Sequence, residues 1–98
     1  MKAVFFIPKE NQGQAKSRVY GDELVSRQSI TLRDSQALGI DKEGYYLQVE
    51  GDESAVKKAE EILKDVAEKL DGKQAEEVNS AIENQDSSAA AGFGSLFG

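Results

Sequence analysis

The first apolar run of the chain predicts a buried strand. Residues 4–7 read Val-Phe-Phe-Ile, so a strand over residues 2–8 would carry apolar side chains on both faces. Such a strand belongs in the middle of a sheet, and Pro8 ends it because proline has no backbone N–H to donate. Residues 9–16 are polar and contain a glycine, so we expect an exposed, mobile loop there.

Alternation of apolar and polar residues predicts further strands. A short strand fits residues 18–20, and a second strand, which could contain a bulge, fits residues 24–33, where Ile30 and Leu32 share one face. Residues 45–50 alternate with a period of two, which is typical of a strand with one buried face.

Helical signals follow these strands. Asp34 can cap a single helical turn over residues 35–38, which Gly39 ends. The longest signal covers residues 52–70, with Asp52 as the N-cap and apolar residues at helical spacing. Its outer face carries acid-then-lysine pairs four residues apart, which stabilise a solvated helix: Glu53 with Lys57, Glu60 with Lys64, and Asp65 with Lys69.

A weaker helix is predicted over residues 73–84, and beyond it the composition changes. The chain of 98 residues has room for one small domain. We expect residues 1–84 to form that domain and residues 85–98 to form a flexible linker and a C-terminal linear motif. The predicted fold class is α+β: a small, mostly antiparallel sheet covered on one face by the long helix, with a second helix and a disordered tail.

The residue types that are missing restrict the chemistry. The sequence contains neither histidine nor cysteine, which excludes thiolate and imidazole catalysis and the usual zinc and iron–sulfur ligands. No residue pattern marks a catalytic site, so we expect a protein that is not an enzyme. The four-residue apolar run is too short for a signal peptide or a membrane span, and we expect a cytoplasmic protein without membrane contact.

The charge is distributed unevenly. The net charge is −6, and residues 1–51 carry seven basic and seven acidic side chains, whereas residues 52–98 carry five and eleven. Because phosphate contacts need clustered cations, a nucleic acid is not expected to bind through this acidic half.

A group of carboxylates could bind a hard cation. Asp41, Glu43 and Asp52 lie near the two ends of the strand predicted over residues 45–50. Oxygen ligands of this kind hold Ca²⁺, although the spacing does not fit the twelve-residue calcium loop. Solvated surface acids are the alternative, and otherwise no cofactor is expected.

The C-terminus carries a compact apolar motif, here called the hook: Phe93, Leu96 and Phe97. These residues stand at i, i+3 and i+4, so in a helix all three would face one groove of a partner protein. The alternative is that they dock back onto the sheet.

Residues 89–98, AAAGFGSLFG, resemble the C-terminal end of the archaeal ribosomal stalk protein. In that family an acidic, alanine-rich hinge ends in a Gly/Leu/Phe motif that binds translation GTPases and the ribosome-recycling ATPase as a helix. The resemblance implies that Phe93, Leu96 and Phe97 are the anchors. It does not extend to the body, because the stalk protein begins with a helical dimerisation domain and this chain begins with strands.

Residues 47–59 resemble a second family, the last strand and helix of KH-type RNA-binding domains. The Gly-x-x-Gly loop that clamps the nucleic-acid backbone in that family is missing here. Three functions therefore stand side by side: an interaction protein that docks a translation factor through the hook, a small Ca²⁺-binding domain, and a KH-like RNA-binding module.

Overall fold

The computed structural model describes the backbone of residues 1–97 and the side chains of residues 1–84. Short 3-10 turns occupy Lys9–Asn11, Val25–Arg27 and Gln36–Leu38. The strands and helices are β1 (Lys2–Pro8), α1 (Gln12–Gly21), β2 (Ser29–Asp34), β3 (Gly44–Glu50), α2 (Glu53–Ile62), β4 (Glu68–Leu70) and α3 (Gly72–Phe97).

The four strands form one sheet in the order β2-β3-β1-β4, and neighbouring strands are antiparallel. The element order β-α-β-β-α-β with this strand order is the split β-α-β arrangement called ferredoxin-like. The predicted α+β class, with a small antiparallel sheet, is confirmed.

β1 lies in the interior of the sheet, as its apolar run predicts. It pairs with β3 on one side and with β4 on the other. Its five central side chains are buried, because both faces of the sheet are covered by helices.

One face of the sheet packs against α1 and α2. Phe5 and Ile7 of β1 meet Val19 of α1 and Val56 of α2 in one hydrophobic cluster. Val25 from the turn after α1 and Leu63 from the end of α2 complete this layer, and both are fully buried.

The opposite face packs against α3, the second helix of the prediction, for which the sequence did not indicate a position. Val78 and Ile82 of α3 contact a second cluster that contains Val4, Phe6 and Tyr46. β3 therefore buries Tyr46 on this side as well as Leu47 on the other, so the prediction of one buried face in β3 is wrong.

The loop predicted over residues 9–16 and the strand predicted over residues 18–20 are wrong, since these residues form a 3-10 turn and α1. Ala15 and Val19 supply the buried side of this helix. Two polar bonds fix its ends to the rest of the body: Asn11 Nδ2 donates to the Val66 carbonyl at 3.1 Å, and Arg18 Nη1 donates to the Ile62 carbonyl at 3.0 Å.

The helix predicted over residues 52–70 begins as expected but ends at Ile62. Asp52 occupies the N-cap position, although its side chain makes no capping hydrogen bond. The chain then turns and forms β4, whose Leu70 pairs with Val4. Pairing with β1 wins over helix continuation because it satisfies the backbone groups on the second edge of this buried strand.

The end of the predicted helix also changes the predicted charge pairs. The Glu53–Lys57 pair is present at 2.9 Å. Asp65 instead pairs with Arg18 of α1, and Lys69 pairs with Glu60, so these ion pairs tie separate elements together.

The remaining local predictions are confirmed or refined. The strand predicted over residues 24–33 occupies Ser29–Asp34, after the turn Val25–Arg27. Asp34 Oδ1 accepts a hydrogen bond from the Gln36 N–H at 2.8 Å, and the turn that follows ends at Gly39 with φ of 75°, a left-handed value that favours glycine.

The helix predicted over residues 73–84 is confirmed as the first part of α3. The predicted linker and motif, residues 85–98, lie outside the residues whose side chains are described.

Candidate functional site

The carboxylates of the predicted cation site lie at opposite ends of β3. Asp41 and Glu43 precede the strand and Asp52 follows it. β3 has seven residues, and at about 3.3 Å per residue its ends are about 20 Å apart. A cation contacts its oxygen ligands at about 2.3–2.6 Å, so these three side chains are not brought together as one site.

Other groupings of acids do not replace that site. Within the described part of the chain, no group of three or more acidic side chains is arranged so that it could hold a metal ion. The backbone N–H of Asp52 donates to Gln28 Oε1 at 3.1 Å, which anchors the turn from β3 into α2.

The hook residues Phe93, Leu96 and Phe97 lie outside the residues whose side chains are described. The part of α3 that precedes them is described, and it determines how that helix is held on the body. Ala75, Val78 and Ile82 recur at helical spacing and pack on the sheet. Beside this stripe, Gln48 Nε2 of β3 donates to Asn79 Oδ1 at 2.6 Å.

A cavity of about 270 Å³ lies between α3 and the sheet, and it is here called the α3 cleft. It opens beside the apolar stripe because that stripe is narrow. Its lining combines apolar and charged side chains: Ile40, Lys42, Tyr46, Glu68, Leu70, Gln74, Glu77, Val78 and Ala81.

A row of side chains across the strands forms the floor next to this cleft. Phe6 of β1 pairs with Tyr46 of β3 on one side and with Glu68 of β4 on the other. The rings of Phe6 and Tyr46 are tilted, with centroids 5.3 Å apart. Lys42 Nζ lies 3.9 Å from the centroid of the Phe6 ring, a cation–π contact.

Tyr46 is the titratable side chain of the cleft with a shifted pKa. Burial raises the pKa of its hydroxyl, and the negative charge of Glu68 raises it further. The residue is 5% exposed, and none of the described residues forms a hydrogen bond with its hydroxyl. The ring of Tyr46 is buried while its hydroxyl reaches solvent, so the hydroxyl can donate or accept a hydrogen bond at the edge of the cleft.

A wider groove of about 540 Å³ lies where α1 and α2 end. The Arg18–Asp65 ion pair lines it, with Arg18 Nη2 3.2 Å from Asp65 Oδ2. The hydrogen bond between them lowers the pKa of Asp65 and raises the pKa of Arg18. The two charges neutralise each other, so the pair acts as a structural link between α1 and the segment that follows α2.

The remaining pKa shifts also come from pairs of opposite charge. Hydrogen bonding to Lys57 lowers the pKa of Glu53, and hydrogen bonding to Glu60 raises the pKa of Lys69. Each shift stabilises the charged form of its group, so these side chains are not poised to exchange a proton near neutral pH.

The run of residues 47–59 that resembles a KH-type strand and helix forms the end of β3 and the beginning of α2. It belongs to the second half of the split β-α-β arrangement and contributes Leu47, Val49 and Val56 to the first cluster.

As far as the described residues extend, the chain has no helix long and apolar enough to cross a membrane. Comparison with known proteins found no matching family, no matching curated protein and no matching solved structure.

Proposed function

We infer that this protein is a non-enzymatic interaction protein that docks a translation GTPase or a ribosome-associated ATPase through the hook. The hook presents two phenylalanines and a leucine at i, i+3 and i+4. Apolar side chains at this spacing fit a hydrophobic groove when the segment is helical. A partner of this class works in the cytoplasm, where we propose that the protein acts.

The observation that carries this proposal is the spacing of Phe93, Leu96 and Phe97 near the C-terminal end of the sequence. The described side chains form a sheet that is covered on both faces, by α1 and α2 on one face and by Val78 and Ile82 of α3 on the other. We propose the hook as a binding segment in addition to this packed body.

The packing of α3 on the sheet fixes the point from which the hook segment starts. Val78, Ile82 and the Gln48–Asn79 hydrogen bond hold the described part of α3 on the sheet. The segment that leads to the hook thus starts from a fixed point on the body. Fixing one end of a binding segment raises its effective concentration near any partner that also contacts the body.

The charge of the second half suits a protein partner better than a nucleic acid. The excess of acidic residues lies in residues 52–98, which include the segment leading to the hook. Such a field repels phosphate backbones and favours a basic surface around the partner's apolar groove.

The direct test is a pull-down from a lysate of the source organism with three proteins: the full chain, a chain that ends at Gln85, and the full chain with Phe97→Ala. We expect a translation GTPase or a ribosome-associated ATPase to be captured by the full chain and lost with both variants. Ser95→Ala is the matched control in the same segment and should retain the partner. Capture of the same factor by the chain that ends at Gln85 would show that the body binds it and would overturn the proposal.

A further inference from the structure

The size of the α3 cleft limits what it can hold. Sites for drug-sized ligands and cofactors usually enclose about 300–1,000 Å³. At about 270 Å³ the cleft lies below that range. A molecule of the size of a single amino acid fits this volume, whereas a nucleotide does not.

One part of the cleft offers hydrogen-bond donors for an anionic group. The Tyr46 ring is buried, but its hydroxyl reaches solvent, and this hydroxyl has no hydrogen-bond partner among the described residues. The Lys42 ammonium lies over the Phe6 ring, and no carboxylate of the described residues lies within ion-pair distance of it. A carboxylate held by these two groups would be bound by charge-assisted hydrogen bonds, which are stronger than neutral ones.

The opposite charge is available in the same cleft. Glu68 of β4 and Glu77 of α3 line it. Neither carboxylate forms an ion pair with a described residue, and neither is within ion-pair distance of Lys42. The two signs of charge are therefore present but not cancelled by direct contact, an arrangement that attracts a molecule carrying both.

The space around these charges is apolar. Ile40, Leu70 and Val78 contribute aliphatic surface, and Ala81 leaves room at the side of α3. Burying an apolar side chain against them removes it from water, which is the main favourable contribution to binding in small pockets.

We propose that the α3 cleft binds a free amino acid with an apolar side chain. The carboxylate is held by Lys42 and Tyr46, the ammonium group by Glu68 and Glu77, and the side chain contacts Ile40, Leu70 and Val78. A phosphate-rich ligand is disfavoured because the two glutamates outnumber the one lysine of the lining.

This site is separate from the hook. It is built from the body, and its ligand is a small molecule, so the two proposals stand or fall independently. A ligand beneath α3 would contact both this helix and the sheet, and it would therefore stabilise the folded body.

The test is an NMR titration of the full chain with L-leucine, N-acetyl-L-leucine and L-leucinamide. The acetyl derivative lacks the positive charge and the amide lacks the negative charge. We expect L-leucine to shift the resonances of Tyr46, Val78 and Ile40 at concentrations up to about 10 mM, the range for a millimolar site. Each derivative should bind roughly threefold more weakly, because it lacks one of the two charges, and ion pairs with the solvent-exposed charges of the cleft are individually weak.

Variants test the assigned contacts. Tyr46→Phe removes the hydroxyl and should weaken L-leucine binding roughly tenfold, since a hydrogen bond to a charged group is lost. The matched control is Tyr45→Phe, which removes a hydroxyl from the neighbouring residue on the opposite face of the sheet. Lys42→Met should weaken L-leucine and N-acetyl-L-leucine alike but leave L-leucinamide unchanged.

Three results would overturn the proposal: no selective shifts with L-leucine, equal binding of all three compounds, or equal binding by the Tyr46→Phe and Tyr45→Phe proteins. Thermal unfolding of each variant, measured alongside, identifies any protein that has lost its fold. Should Tyr46→Phe unfold, the Lys42→Met comparison decides by itself, because Lys42 is on the surface loop before β3.

Discussion

Gln48 of β3 and Asn79 of α3 are joined side chain to side chain, with Gln48 Nε2 donating to Asn79 Oδ1 at 2.6 Å. Both residues are half-buried, so this bond is partly shielded from solvent. The apolar stripe of α3 is narrow and can slide along a sheet, whereas a directional hydrogen bond fixes one position. The pair therefore sets the register of α3 on the sheet.

Removing this bond should loosen α3. Asn79→Ala leaves the Gln48 amide partly buried without its partner, and we expect the free energy of unfolding to fall by about 1 kcal/mol. Chemical denaturation measures this change. Ser80→Ala, at the neighbouring exposed position, is the control and should stay within about 0.5 kcal/mol of the parent. Equal effects of the two substitutions would show that the bond contributes nothing.

Two glycines should respond in opposite directions to alanine. Gly13 lies in α1 with open space around it, so Gly13→Ala should stabilise the protein by about 0.5–1 kcal/mol through higher helix propensity. At Gly44, φ is 156° and an added Cβ would lie 2.5 Å from the Ile7 carbonyl oxygen. Gly44→Ala should therefore destabilise the β1–β3 pairing. Melting temperatures of both variants check the prediction, and a shift in the same direction for both would contradict it.

The Arg18–Asp65 pair should give stability a specific pH dependence. The hydrogen bond from Arg18 lowers the pKa of Asp65 in the folded protein below its unfolded value. The pair therefore stabilises the fold fully above the unfolded pKa, and this contribution is lost as the pH falls through the folded pKa. Denaturation curves measured between about pH 5 and pH 2 should show a smaller loss of stability for Asp65→Asn than for the parent.

Arg18→Gln provides the complementary measurement for the same pair. It removes the largest cause of the lowered pKa while keeping the carboxyl group, so its acid dependence should be shallower than that of the parent and close to that of Asp65→Asn; a backbone hydrogen bond at Asp65 accounts for the small remainder. An acid dependence as steep as that of the parent would mean that the pair is not formed in solution.

The hook should act on the partner and not on the fold. Phe97→Ala should weaken binding of the captured factor by about tenfold or more, since apolar anchors in a groove dominate such interfaces. The melting temperature should stay unchanged, because the proposal places Phe97 in the partner's groove and not in the core. Isothermal titration and thermal unfolding measure the two effects, and a lowered melting temperature would indicate that Phe97 docks on the body.

The sequence predicts the elements whose side chains carry strong patterns. β1 is apolar on both faces, β3 alternates, and α2 begins at an Asp with apolar residues at helical spacing. α1 was not predicted because Ala15 and Val19 are its only buried residues, and a helix with so little apolar surface looks like a polar loop. Its stability comes from packing with α2 and the sheet, which a local pattern does not contain.

β4 was missed for the opposite reason: its residues carry a helical pattern although they form a strand. Val66 and Leu70 follow the helical spacing of α2, so the periodicity of the sequence continues past the true end of the helix. Three residues with one buried side chain carry too little information to indicate a strand. β4 is identified only by its pairing with the second edge of β1. This pairing depends on the arrangement of the whole sheet, which a local sequence pattern does not contain.

The α3 cleft could not be predicted for a related reason. Lys42, Tyr46 and Glu68 are brought together by the pairing of Phe6 with both Tyr46 and Glu68. One signal was available, because Tyr46 places an aromatic ring on the strand face that the alternation assigns to solvent. An aromatic residue there indicates that something covers that face.

The position of β1 also determines when the sheet can form during synthesis. β1 leaves the ribosome before the other three strands, yet Phe5 pairs with Leu47 and Val4 pairs with Leu70. No neighbour exists for it until β3 is made, and its second edge stays open until β4 follows. During that interval four consecutive apolar residues of a strand are exposed, which is the condition under which nascent chains aggregate or bind chaperones. The same apolar residues that bury β1 in the folded protein therefore make it the segment most prone to aggregation while the chain is being made.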